Sequence, residues 1–164
     1  MDRKNAKDSE SCGPTGVAFL LAQLGAHGAV RFAERLSAIG LAPPDAGLMK
    51  TIAKNPGISQ QALAEHLGVM PSRMVALIDN LENKKLVERV SSPEDRRMYA
   101  LRLTARGQQA LGEIARIGME HEKELCATLT EKERETLAGL CRKIADQQGL
   151  TPGVHPGYRQ MGKN

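Results

Sequence analysis

The sequence predicts a mainly α fold with a small β wing, and three observations carry that expectation. Apolar residues recur at three- and four-residue steps over most of the 164 residues, the period of helices with one buried side. One short stretch, Met98 to Leu103, sets Tyr99, Leu101 and Leu103 in alternation with Met98, Ala100 and Arg102, as in a half-buried strand. Ser, Thr, Pro and Gly fall where these runs should start and stop.

In chain order, Met1 to Gly13 is polar and charged, so residues 1–14 are expected as a flexible tail. Residues 15–40 hold one long amphipathic helix, with Val17, Leu20, Leu21, Leu24, Gly28, Phe32, Leu36 and Ile39 on its stripe and Gly40 ending it. Pro43, Pro44 and Asp45 open a second helix to about Lys54, closed by Asn55, Pro56 and Gly57. Ser59 to Leu67 is a short helix whose first turn the Ser59 hydroxyl can cap, with Ala62, Leu63 and Leu67 inward. Gly68 permits the left-handed residue that ends it, and Val69 plugs the turn. Pro71 suits the first position of the next helix, which runs to about Lys85. Met74, Leu77, Ile78 and Leu81 face inward there, and Ser72, Arg73, Ala76 and Asn80 fall on the other side.

Val87 to Val90 and Met98 to Leu103 then form a hairpin, with turn chemistry at Ser92 and Pro93 and two adjacent arginines at its tip. Two short helices followed by a basic hairpin is the order of a winged helix-turn-helix, here residues 41–104, a module that reads duplex DNA. On this reading the polar first turn of the second helix enters the major groove. Ser72 and Arg73 contact base edges or phosphate, Ala76 offers its methyl to a thymine methyl, and Pro71 sets the helix start. Ser59 and Gln60, opening the preceding helix, join the candidate DNA contacts. Arg97 enters the minor groove and Arg96 takes phosphate, while Asp95, itself repelled by phosphate, aims the arginines. Taken alone, the tip also fits an exposed loop of solvated charges. The helix pair directly before it favours the groove.

After the wing, Thr104 caps a helix reaching about Thr128, with Leu111, Ile114, Gly118, His121, Leu125 and Leu129 near one stripe. Thr130 and Glu133 form a capping box, and Leu137, Leu140, Cys141 and Ile144 make the inward face of the last helix. A long first helix and two C-terminal ones cannot all pack on the small module between them. Two chains with interleaved terminal helices solve that burial problem, so residues 15–40 and 105–150 are expected as dimerisation helices flanking the winged helix-turn-helix. The alternative is an all-helical monomer with an appended lobe. Residues 151–164, with Pro-Gly pairs at Pro152 and Pro156, are expected as a flexible tail.

Several motifs in this order resemble the MarR family of bacterial transcription regulators. They are Leu63-Ala-Glu-x-Leu-Gly-Val69, Val75-x-x-Ile-x-x-Leu-Glu82, Lys85-Leu-Val-Glu-Arg89, Asp95-Arg-Arg97 and Leu101-x-Leu-Thr-x-x-Gly107, and the match extends over Thr15 to Gln148. Lys85 is a departure, standing where the family usually has glycine. The resemblance implies a homodimer on a pseudo-palindromic operator in double-stranded DNA, released by a small phenolic or other organic effector or by oxidation. Family effectors often sit between the dimer helices and the winged helix, which makes His27 and Met49 the pocket candidates. Peroxide-sensing relatives carry a reactive cysteine near the start of the first helix, usually with tyrosine partners. Cys12 is the redox candidate on that pattern, although Tyr99 and Tyr158 lie in the wing and the tail.

Composition agrees and decides less. The net charge of +4 is mild, but from Pro71 to Arg106 eight Lys or Arg face five acids, so the surplus gathers where a groove would lie. No signal peptide stands at the start, and the apolar run Val17 to Leu24 is too short to cross a bilayer. Three scattered cysteines form no secreted disulfide framework, so a cytoplasmic protein without membrane contact is expected. His121, Glu122 and Cys126 are too few for a structural zinc site. No phosphate loop, His-Glu-x-x-His or Gly-x-Ser-x-Gly is present, so neither an enzyme nor a cofactor is expected. A winged helix used only for protein contacts is the remaining class, and it would leave Arg73, Arg96 and Arg97 dispensable. The expectation is a signal-responsive repressor.

Overall fold

The computed structural model describes residues 16–91 and 99–160; the wing tip with Asp95, Arg96 and Arg97, and Cys12, lie outside the described residues. The elements run α1 (Val17–Ser37), α2 (Pro43–Lys54), α3 (Gln60–Leu67), α4 (Pro71–Asn83), β1 (Val87–Ser91), β2 (Tyr99–Leu103), α5 (Ala105–Leu125), α6 (Glu131–Gln147) and a final turn of helix, α7 (Gly157–Gln160).

Local chemistry explains most of these boundaries. The Ser59 hydroxyl accepts the Ala62 amide at 3.1 Å to open α3, and Gly68 closes it at φ 66. Thr104 caps α5 through the Gly107 amide at 3.0 Å. The Thr130 and Glu133 box opens α6, and the hydrogen bonds from Thr130 hold the Glu133 carboxyl below the usual range. The antiparallel strands pair Val87 with Leu103 through to Ser91 with Tyr99. A third short edge joins them: Leu101 N–H donates to the Ile58 carbonyl at 2.9 Å, and Gly57 N–H to the Leu101 carbonyl at 3.2 Å. The wing is thereby tied to the segment that leads into α3.

One apolar core serves the whole middle of the chain. Leu48, Met49 and Ile52 of α2, Leu63 and Leu67 of α3, Met74, Ile78 and Leu81 of α4, Leu101 of β2 and Leu36 of α1 are all fully buried. Each such side chain contributes roughly 1.5–3 kcal/mol. Two details differ from the sequence expectation. Ala62 is exposed and Ala64 takes its place inward, because an eight-residue helix wedged against α4 buries the side defined by Leu63, Ala64 and Leu67. Tyr158, in the segment expected as a flexible tail, is buried in this core because α2 has room for its ring at Gly47.

The terminal helices are a different matter. Gly28 of α1 packs against His121 and Leu125 of α5, and Phe32 meets the His121 ring in a tilted contact with centroids 5.5 Å apart. Arg35 and Glu124 form an ion pair across the same contact, and the guanidinium holds the Glu124 carboxyl low. Yet α1 leaves Val17, Phe19, Leu20, Leu21 and Leu24 exposed, and α6 buries no side chain fully. Leu140, on the face expected to point inward, is 56% exposed.

Two backbone positions fix how the wing leaves α4 and meets α5. Lys85 sits at φ 59, the left-handed conformation that glycine adopts without cost. Its amide donates to the Glu82 carbonyl at 2.7 Å and the Leu86 amide to that of Leu81 at 2.9 Å, the paired bonds of a Schellman turn. The turn is therefore the glycine type with a lysine in it. At Gly107 an added Cβ would lie 2.0 Å from the Leu86 carbonyl oxygen, so α5 and the residue leading into β1 approach backbone to backbone. Lys85→Gly should accordingly raise stability by about 1 kcal/mol, and Gly107→Ala should lower it by about 2 kcal/mol or more. Urea denaturation midpoints will show whether the two shifts have opposite signs.

Candidate nucleic-acid interface

The surface that α3, α4 and the wing present is built from the inside out. In α4, Met74, Ile78 and Leu81 are anchored in the core, which forces Pro71, Ser72, Arg73 and Ala76 outward. No side chain caps the start of α4, and Pro71 has no amide hydrogen. The amides of Ser72 and Arg73 lie in the first turn, where a helix leaves its N–H groups without intrahelical partners. Together with the helix dipole they favour an anion at that end. Ser72, Arg73 and Ala76 therefore share one exposed patch, with Met70 and Val75 exposed beside them.

The other sequence candidates fall differently. The Ser59 hydroxyl is engaged in capping α3. The Gln60 side-chain oxygen accepts twice from Arg89, from Nε at 3.2 Å and Nη2 at 2.9 Å. Arg89 is also paired with Asp79 at 2.8 Å and with Glu82. This cluster staples β1 to α3 and α4, so Arg89 belongs to the scaffold and not to the free basic surface. Arg73, Lys85, Arg102 and Arg106 are the exposed cations of this region among the described residues, with Glu88 exposed as well.

Further along α4 lies a buried carboxylate, Asp45, which the sequence marks as a helix opener but not as a partner of α4. Asp45 is 3% exposed and accepts from the Ala42 amide at 3.1 Å, from Asn80 Nδ2 at 3.3 Å and from Lys84 Nζ at 2.8 Å. It caps its own helix and clamps α2 to α4. Its place three residues after the N-cap was a readable capping signal. The matching pair Asn80 and Lys84, one turn apart on another helix, was not.

The pocket candidates are not brought together. Met49 is wholly inside the core, whereas His27 is exposed on α1. A cleft of about 310 Å³ lies elsewhere, between the α1–α2 turn, the end of α4 and α5, with Lys84, Arg106 and Glu113 among its walls. Cys126 and Cys141 are half-buried thiols. Among the described residues no three His, Cys, Asp or Glu side chains gather in one place, and no helix is long and apolar enough to cross a membrane.

Two helices held at a fixed angle by a shared core, an exposed polar N-terminal turn on the second, and a two-stranded wing welded beside them define a winged helix-turn-helix. The MarR family sequence pattern matches residues 39–98. A Thauera aromatica protein assigned to transcriptional regulation of the hcr operon is 41% identical over 113 residues, covering 69% of this chain and 68% of that one. Among solved structures, the transcriptional repressor CouR bound to a 23-mer DNA duplex superposes with a TM-score of 0.72 at 26% identity, over 84% of this chain and 99% of that one. The Mycobacterium tuberculosis MarR-family protein Rv2887, in complex with salicylic acid, gives 0.64 at 25% identity, over 79% and 96%. The chain belongs to the MarR family and is a transcriptional regulator.

The clamp at Asp45 yields a test of the scaffold. Lys84→Met would leave a carboxylate that is 3% exposed without its cation. Thermal or urea unfolding should show a loss of about 2–3 kcal/mol, against under about 1 kcal/mol for removing an exposed pair such as Arg31–Glu34.

Proposed function

We propose that this regulator is a homodimeric repressor that acts in the cytoplasm by binding, not catalysis, on a pseudo-palindromic operator. The observation that carries the reading is the conjunction of two uncovered surfaces. The first turn of α4 presents Ser72, Arg73 and Ala76, and the apolar faces of α1 and α6 stand open in the single chain. Joining those faces across a two-fold axis buries them. It also repeats the α4 patch at the spacing of successive major grooves, about 34 Å. CouR on duplex DNA supports the first half of the reading.

Pro71 sets the start of the recognition helix, and Ser72, Arg73 and Ala76 read base edges or phosphate from it. At the wing, Arg97 enters the minor groove, Arg96 holds phosphate and Asp95 orients them. Ser59 and Gln60 act through the scaffold, and Gln60 also presents its amide group beside the groove. The effector is a small phenolic or other organic molecule. The cleft between the α1–α2 turn, the end of α4 and α5 has room for one, which the neighbourhood of His27 and Met49 does not offer, and Rv2887 with salicylic acid supports that class of ligand.

Fluorescence anisotropy on the protein's own upstream DNA and on a scrambled duplex, at two salt concentrations, tests the reading. Selective binding with a steep salt dependence is expected; equal weak binding to both duplexes would overturn it. Arg97→Ala should weaken operator binding by roughly a few kcal/mol, and Arg96→Ala should lower the salt slope by about one unit. For the dimer, Leu140→Glu places a charge in the buried face. Sedimentation should then report the mass of one chain, with loss of operator affinity.

A further inference from the structure

The C-terminal segment makes a contact that the regulator reading does not use. After α6 the chain turns at Gly149 and again at Gly153, both at positive φ, and returns to the winged helix. Most of residues 151–157 is exposed, with Val154 packed against the core and Tyr158 sealed to 5% exposure. Among the described residues, the one hydrogen bond from this segment to the rest of the chain is from the Tyr158 hydroxyl to the Pro44 carbonyl, at 2.6 Å.

The seat is cut to a phenol. A Cβ at position 47 would lie 2.1 Å from the hydroxyl oxygen and 3.0 Å from Cζ, so only glycine leaves room for the ring in the first turns of α2. The walls are apolar core, and the far end offers a carbonyl acceptor with the Leu48 amide close by. Burial, with the Asp45 charge adding to it, pushes the phenol up to about 12, so it remains a donor throughout the physiological range. The residue after the accepting Pro44 is Asp45, whose carboxylate holds Asn80 and Lys84 of the recognition helix.

We propose that the notch in α2 beside Gly47 is a phenol-binding site, filled by the chain's own Tyr158, and that its filling steadies Asp45 and thereby the recognition helix. The ligand class follows from the occupant: a phenol with an apolar para substituent. A tail carried on Pro-Gly turns is a tethered ligand, present at an effective concentration on the order of millimolar, which a tighter-binding phenol in solution can displace.

The test empties the notch and refills it. In the full-length Tyr158→Ala variant, p-cresol, which is the tyrosine side chain as a free molecule, should raise the melting temperature saturably. Toluene, lacking the hydroxyl, should raise it less. In the Gly47→Ala, Tyr158→Ala double variant the p-cresol effect should vanish, because the new methyl occupies the seat. No response to p-cresol, or an equal response in the double variant, overturns the site. Should Tyr158→Ala not fold, the alkaline titration at 295 nm of wild type against Tyr158→Phe decides instead. Docking makes the Tyr158 phenolate appear only as pH nears 12, and its appearance near 10 overturns the docking. The link to the recognition helix rests on the DNA-binding reading. Operator affinity should fall about tenfold in Tyr158→Ala and recover with p-cresol. Unchanged affinity in a variant that still binds p-cresol overturns the link and leaves the site standing.

Discussion

The buried carboxylate of Asp45 is the point on which the DNA-facing surface depends. A charge taken out of water is costly unless its oxygens are satisfied, and here three donors from two directions do so: the Ala42 amide, the Asn80 amide group and the Lys84 ammonium. Apolar packing alone would let α4 slide or rotate against α2 at modest cost, since buried side chains tolerate small shifts. A hydrogen-bonded ion pair does not, because its energy depends on direction as well as distance. The orientation of Ser72, Arg73 and Ala76 is thus set from the far end of the same helix, where Asn80 and Lys84 hold Asp45. The Gln60–Arg89–Asp79–Glu82 cluster does the same for the wing and α3. The interface is preorganised by two polar clamps and one core.

The two halves of the molecule divide their labour by burial. The middle of the chain satisfies its apolar residues internally. The terminal helices do not, and Phe19, Leu24, Leu137 and Leu140 are left facing outward. An exposed apolar surface on that scale is what a second chain covers in an obligate assembly. Capping strengthens the point. α6 carries a complete capping box at its start although it contributes nothing fully buried to its own chain, so its sequence specifies a helix independently of intrachain packing.

How much of this was legible in the sequence depends on range. Ser59, Gly68, Pro71, Thr104 and Thr130 act within four residues of themselves, and each boundary they mark stands in the structure. The fold class and the α4 patch follow from such signals together with periodicity. Contacts between remote positions left no trace. Lys84 reaches Asp45 across 39 positions and Tyr158 reaches Pro44 across 114, and neither spacing has a period to betray it. Arg89 counted as part of a basic surplus for the same reason: its acidic partners were visible, but not that they converge on it. At Ala62 the error was one of phase, since eight residues are too few to fix which side of a helix faces in.

The close approach at Gly107 has a mechanical consequence. With the Leu86 carbonyl seated on the first turn of α5, wing and helix behave as one stiff body, and α5 is a rod of 21 residues, about 30 Å long. Its other end is where Phe32, Gly28 and Arg35 of α1 grip His121, Leu125 and Glu124. A rod held at one end and loaded at the other is a lever. A tilt of about 5° at the α1 grip sweeps the wing end through roughly 2–3 Å over that length. Displacements too small to disturb any core contact at the grip therefore become displacements of about an atom's width where the helix meets the wing.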